Sequence, residues 1–317
     1  MQKTYIDTVR LLLDAAPEVF RGGVFAMKGG TAINLFVHDM PRLSVDIDLV
    51  YPDGSASRAD ALRAIADEFA AVAGRLQRIG LAAQSVRAEA LGESKLVVER
   101  ADRGGAALVK IEANLVFRGT VLPTTRRALS PVVSEMFSAE VSVPMLAVDE
   151  LYGGKLVAAM DRQHPRDLFD VMRMYDAGID GVRGITDGMV ECFVLYLAGH
   201  NRPMDEVLAS RVDRAKKDLR LAYESSFAGM TRETVELSEL ESAREHLFAE
   251  LPRRLTARQR EFLVRLARVE PDWSLVDCPH AKELPAIRWR LQNLEQFRDA
   301  RPREWARQVA ALERALG

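Results

Sequence analysis

The chain has 317 residues, with 44 Lys and Arg against 46 Asp and Glu, a formal net charge of −2, 48% hydrophobic residues and 28% charged ones. That composition supplies core material for one large domain or two smaller ones and excludes a disordered, collagen-like or coiled-coil chain. The charge is uneven: residues 251–317 hold 14 basic and 9 acidic side chains, a surplus of +5, which leaves −7 on the first 250 residues.

The opening residues MQKTYIDTVRLLL include Lys3, Asp7 and Arg10 and lead into no long apolar run, so a signal peptide is not expected. Ile6, Val9, Leu12 and Leu13 recur at helical spacing, which predicts a helix over Tyr5 to Ala15. Val24 to Met27 reads as a short buried strand, broken by Gly29 and Gly30. Thr31 is then placed to cap a helix through Ala32, Ile33, Leu35 and Phe36. Val45 to Tyr51 alternates as a strand, and an Ala- and Leu-rich helix is predicted from Arg58 to Gln77. Three more strands are predicted at Ala83 to Ala88, Lys95 to Arg100 and Ala107 to Phe117.

From about Val148 the periodicity turns helical. Helices are expected from Asp149 through Met160 and from Pro165 through Tyr175. Others are expected near Val190 to Ala198, Met204 to Tyr223, Glu236 to Glu250, Thr256 to Arg268, Pro285 to Phe297 and Pro302 to Leu316. No stretch approaches the roughly 20 apolar residues of a membrane span. Cys192 and Cys278 are too few for a disulfide scaffold or a zinc knuckle and fit a reducing cytoplasm. The fold class is therefore α+β, an N-terminal domain with a mixed sheet followed by an α-helical domain. The division is set at 1–175 and 176–317.

The chemistry concentrates in Lys28-Gly29-Gly30-Thr31 and Arg42-Leu43-Ser44-Val45-Asp46-Ile47-Asp48. On a strand, Asp46 and Asp48 share one face while Val45, Ile47 and Leu49 take the other. Two adjacent carboxylates repel unless a cation sits between them, and hard divalent cations prefer carboxylate oxygens. A Gly-Gly turn feeding a helix offers backbone N–H groups to a phosphate, and glycine permits close approach. Each part alone occurs often by chance; the combination points to a metal–polyphosphate complex. Glu112, inside a largely apolar strand, is the candidate third carboxylate, with Lys110 and Asn114 on its face. The competing explanation is the polar side of a half-exposed strand.

Further on, Lys155 lies on a helix face with Leu151 and Ala159, where it either snorkels or neutralises a phosphate. Asp167 and Asp170 lie three apart on the next helix. Asp167 alone is equally well an acid complementing a helix N-terminus after Pro165. Ser44 shares the face of Asp46, as a phosphate contact or as a plain small polar residue. The five histidines show no zinc spacing, and neither a P-loop nor a G-x-S-x-G motif is present. Arginines of the tail, together with Trp289, either line a groove for RNA or form a solvated face.

The pattern K-G-G-T-A followed by R-x-S-x-D-I-D-L resembles the nucleotidyltransferase superfamily that includes DNA polymerase β. More narrowly it resembles the AbiEii/AbiGii-type nucleotidyltransferase toxins, relatives of the mycobacterial MenT toxins. The resemblance continues in Lys110-Ile-Glu112-Ala-Asn114, in Asp149-Glu-Leu-Tyr-Gly-Gly-Lys155, in Arg166-Asp167-Leu-Phe-Asp170 and in Pro285-Ala-Ile-Arg-Trp289-Arg-Leu-Gln-Asn293. Two departures stand out: Glu112 occupies a place where many members have Asp, and Gly153-Gly154 interrupts a helix.

The resemblance implies a polymerase β-like catalytic domain and a metal-dependent toxin that transfers a nucleoside monophosphate from an NTP to the 3′ end of tRNA, blocking translation. Asp46, Asp48 and Glu112 would hold two Mg2+ ions. Lys28, Gly29, Gly30, Thr31, Ser44 and Lys155 would bind the nucleotide, and Asp167, preferred over Asp170, would complete the site. The implied setting is a cytoplasmic toxin–antitoxin or phage-defence pair with a cognate antitoxin, which acts either by contact or by phosphorylating Ser44. The alternatives are transfer to a protein or small-molecule hydroxyl, or a nucleotide-binding module without chemistry.

Overall fold

The computed structural model describes residues 3–88, 93–102, 105–209 and 212–317. Backbone packing divides the chain into two compact units, Met1–Ala147 and Val148–Gly317.

In the first unit, seven strands among the described residues form one mixed sheet. They are β1 (Ala26–Lys28), β2 (Ile47–Val50), β3 (Ala82–Ala88), β4 (Glu93–Asp102), β5 (Gly105–Asn114), β6 (Thr125–Ala128) and β7 (Ser142–Met145). Their spatial order is β3-β4-β5-β2-β1-β7-β6. β2 runs parallel to β5 and β1 parallel to β7; the other pairs are antiparallel. Alternation sets the two faces apart. Met27, Ile47, Leu49, Leu96, Val98, Val109 and Ile111 are fully buried on one face, where α1 (Lys3–Phe20) and α3 (Arg58–Arg78) pack. Phe25 meets Phe69 of α3 edge to face, with ring centroids 5.4 Å apart. On the other face of β4 and β5, Lys95, Leu108, Lys110 and Glu112 are half-buried or exposed.

The segment after β1 departs from the expected capped α-helix. The helix begins at the glycines themselves, as a short turn α2 (Gly29–Thr31) that widens into a π-helix over Ala32–Val37. Thr31 is not its cap, because its hydroxyl is used elsewhere. The Asn34 side chain ties the two parts together, its Nδ2 donating to the carbonyl of Gly30 at 2.9 Å. Wide turns of this kind recur at functional sites. Two strands and a helix carry little sequence signal: β6 is mostly exposed, β7 contains Pro144, and α4 (Pro131–Phe137) is short.

The second unit is helical: α5 (Val148–Arg162), α6 (Pro165–Asp176), α7 (Asp187–Ala198), α8 (Met204–Leu208), α9 (Val212–Ser226), α10 (Leu237–Arg254), α11 (Ala257–Ala267), α12 (Pro285–Ala300) and α13 (Pro302–Leu316). The single helix expected from Met204 to Tyr223 is two, α8 and α9. The Gly-Gly pair inside α5 has a packing reason. A Cβ on Gly153 would lie 2.5 Å from Cys192 Cβ and 2.8 Å from the Phe193 nitrogen, so α7 packs backbone-close on α5. α5 and α6, grouped by the sequence with the first 175 residues, belong to this second compact unit. No helix among the described residues is long and apolar enough to cross a membrane.

Candidate active site

The candidate residues fall into two clusters, one in each unit. In the first unit, strand register aligns charged side chains into a row. Lys28 of β1 is opposite Asp48 of β2, Asp48 is beside Glu112 of β5, and Glu112 is opposite Lys95 of β4. Laterally paired residues point to the same face, at about 4.8 Å per strand. The row therefore reads plus, minus, minus, plus on the face away from the apolar core. Two carboxylates about 5 Å apart at an effective dielectric of about 20 repel by about 3 kcal/mol. Lys95 offsets part of that cost, its Nζ lying 3.0 Å from Glu112 Oε1.

Asp46 stands just ahead of β2, two residues from Asp48. Its carbonyl accepts a hydrogen bond from Thr31 Oγ1 at 2.5 Å, and the same hydroxyl is 3.0 Å from Ser44 Oγ. One threonine thus pins the strand entry to the glycine turn. Gly29 has φ +80, and a Cβ there would fall 2.0 Å from Asp48 Oδ2. The Asp48 carboxylate occupies the space that any other residue's side chain would need. At Gly30, a Cβ would fall 2.6 Å from an Arg42 guanidinium nitrogen and 2.9 Å from Ser44 Oγ. Lys28, Gly29, Gly30, Thr31, Ser44, Asp46, Asp48 and Glu112 are therefore brought together by β1, β2, β5 and the turn.

Arg42, quoted in the motif without a role, and Lys95, not singled out from the sequence, join them. Arg42 is 3% exposed and donates to the Leu43 carbonyl at 2.9 Å. Lys95 becomes visible only once register places it beside Glu112. Asn114 closes a turn instead, its Oδ1 accepting from the backbone N–H groups of Val116 and Phe117 at 2.8 and 2.9 Å.

Among the described residues, no group of three or more His, Cys, Asp or Glu side chains is placed to hold a metal ion. As placed, Glu112 is paired with Lys95 and does not converge with Asp46 and Asp48 on one cation position. Asp46 and Asp48 remain an oxygen-only pair, with Asp48 folded into the Gly29 cradle. That donor chemistry fits Mg2+, which binds through one or two carboxylates and takes its other ligands from water and substrate phosphates.

The second cluster joins α5 to α6. Lys155 Nζ lies 2.9 Å from Asp167 Oδ1 and 2.9 Å from Asp170 Oδ2, and Arg162 lies 2.8 Å from the other oxygen of Asp167. Lys155, Asp167 and Asp170 are all buried. Burial alone would raise the Asp167 pKa, but the Lys155 ammonium and the Arg162 guanidinium override it and hold the carboxyl below its ordinary range. Lys155 reaches both aspartates equally; Arg162 sets Asp167 apart. The lysine thus ties two helices together without needing a substrate. His164 caps α6, its Nδ1 accepting from the Arg166 backbone N–H at 3.2 Å.

The family model described as "Nucleotidyl transferase AbiEii toxin, Type IV TA system" matches residues 10–293. A search of curated proteins gave no match. Among solved structures, MenT4, a nucleotidyltransferase toxin from Mycobacterium tuberculosis H37Rv, is similar at 20% identity with a TM-score of 0.60, over 92% of this chain and 95% of that one. A putative nucleotidyltransferase from H. pylori matches at 13% identity and a TM-score of 0.46, over 81% of this chain and 100% of its own. The MenT4 likeness supports the fold, and the family match over most of the sequence carries the assignment. The chain belongs to the AbiEii family of nucleotidyltransferase toxins of type IV toxin–antitoxin systems.

Proposed function

We propose that this nucleotidyltransferase moves a nucleoside monophosphate from an NTP, with Mg2+, onto the 3′ end of a tRNA in the cytoplasm and so stops translation. The observation that carries this reading is the charged row Lys28–Asp48–Glu112–Lys95 beside a glycine turn that would admit no side chain. The acceptor hydroxyl gives up its proton to solvent water as its oxygen attacks the α-phosphorus; the bond from that phosphorus to the α–β bridging oxygen breaks, and pyrophosphate leaves. Asp46 and Asp48 would hold the cation, joined by Glu112 once it releases Lys95. When bound, the cation supplies charge neutralisation for the triphosphate and lowers the pKa of the acceptor hydroxyl.

The chain's own residues position the reactants. Gly29 and Gly30 let backbone N–H groups approach the triphosphate, and Lys28 and Ser44 face it with a charge and a hydroxyl. Thr31 fixes the Asp46 carbonyl and thereby the strand entry. In this reading Asp167 and Asp170 hold Lys155 in place, and Lys155 is the second unit's candidate for binding nucleotide phosphate. Phosphorylation of Ser44 by the antitoxin would put a charge of about −2 beside Asp46 and close the site.

The test is transfer of α-labelled NTP into total tRNA. Asp46→Ala is expected to abolish it, whereas full activity in that variant contradicts the proposal. Label that survives RNase and is released by protease would instead assign the acceptor as protein.

A further inference from the structure

We infer that the α12–α13 hairpin is a contact surface for an RNA strand, with phosphates on α13 and a stacked base on Trp289. The inference rests on the proposed acceptor being RNA.

α13 has two faces. Trp305, Val309, Leu312 and Leu316 point inward, and Trp305 Nε1 donates to the Ala267 carbonyl at 3.0 Å. On the opposite side stand Arg303, Arg307 and Arg314, all exposed. At 100° per residue these three fall within an arc of about 40°, and at 1.5 Å per residue they span about 16 Å. None of the three makes an ion pair among the described residues. The two acids of this helix are taken by arginines from outside it: Glu304 by Arg301 at 3.6 Å and Glu313 by Arg268 at 2.6 Å. The stripe is therefore uncompensated, and it would repel itself unless an anion covers it. Ala306, Ala310 and Ala311 flank it, leaving the guanidiniums free to fan outward.

A protein partner would need an apolar centre, which this stripe lacks. A phosphodiester backbone needs only the row of charges. α12, packed against α13, adds what a base requires. Trp289 is the exposed aromatic among the described residues, at 44%. Gln292, Asn293 and Gln296 follow it by three, four and seven positions, on the same helix face. An exposed indole beside three amides offers a stacking surface and hydrogen-bonding groups for base edges.

The probe is a fluorescently labelled tRNA transcript, titrated without NTP at several salt concentrations and followed by anisotropy. Arg303→Glu/Arg307→Glu/Arg314→Glu is expected to weaken binding by at least about tenfold. Losing three single-strand phosphate contacts should flatten the log–log salt slope by about 2. Trp289→Ala should weaken binding by about 5- to 100-fold, the loss of one base–aromatic stack, and leave the salt slope unchanged. If the charge-reversed protein fails to fold by circular dichroism, the triple Arg→Gln variant, which adds no repulsion, must show the same flattened slope. Asp46→Ala is expected to keep full RNA binding, which separates this surface from the chemistry. Wild-type affinity and slope in the triple variant would overturn the proposal. Loss of antitoxin binding with RNA binding intact would overturn it too.

Discussion

Replacing Lys155 with Met removes the ammonium that sits 2.9 Å from both Asp167 and Asp170. The two acid side chains are 6% and 1% exposed, so water cannot take over the lost contacts. The cluster of Lys155, Arg162, Asp167 and Asp170 passes from neutral to a net −1, with only Arg162, itself 62% exposed, left to oppose two carboxylates. Leaving a buried charge unpaired costs about 3–5 kcal/mol. At about 2–4 °C per kcal/mol for a domain of 150–250 residues, the melting temperature should fall by roughly 10 °C. The sign of the pH dependence follows from the pairing. In the native protein Asp167 is held below its ordinary pKa, so its contribution is present above the unfolded value and is lost as pH falls through the folded one. Without Lys155 the largest attraction that offsets burial at Asp167 is gone, so the deficit is largest at about pH 7 and is expected to be smaller when measured at about pH 4.5, as that carboxyl protonates. Urea denaturation of both proteins at the two pH values measures this. A loss under about 1 kcal/mol, or one that does not change with pH, would refute the reasoning.

Gly29→Ala meets both a positive φ and a Cβ 2.0 Å from Asp48 Oδ2. It should cost about 1–2 kcal/mol by thermal melting and abolish nucleotide transfer; an active variant would mean that the Asp48 pose is not needed. Gly153→Ala drives a methyl against α7 backbone and should destabilise by about 1–3 kcal/mol in urea. Gly154→Ala, facing only the Tyr196 ring at 3.0 Å, should cost less, and the reverse order would contradict the packing. Lys95→Met frees Glu112, so Mn2+ binding by electron paramagnetic resonance should tighten about fivefold, the worth of one half-exposed ion pair; unchanged binding would mean that the pair does not restrain Glu112.

Where side-chain alternation was strong, the sequence located the elements well. β2 and β5 follow from Ile47-Asp-Leu-Val and Leu108-Val-Lys-Ile-Glu, and the long amphipathic helices follow from their apolar stripes. β6 carries no strand signal because Thr-Arg-Arg-Ala has no apolar alternation; β7 holds Pro144, which argues against a strand until its place beside β1 is known. α1 continues to Phe20 through Pro17, because Val19 and Phe20 have a core to fill. The acids of the candidate site could be named from D-x-D spacing and from a Glu in an apolar run. Their neighbours could not. Lys95 lies seventeen positions from Glu112 and becomes its partner only through β4–β5 register. Local sequence offered Thr31 the role of a cap, but the fold uses its hydroxyl to tie Asp46 and Ser44 together.

The binding place of the cation and the triphosphate decides most directly whether this sheet face is the catalytic one. A crystal grown with Mn2+ and a non-hydrolysable NTP should give an anomalous peak against the carboxylates of Asp46 and Asp48, with phosphate oxygens beside Gly29 and Gly30. Manganese and nucleotide bound away from that face, with Asp46 and Asp48 untouched, would contradict the assignment.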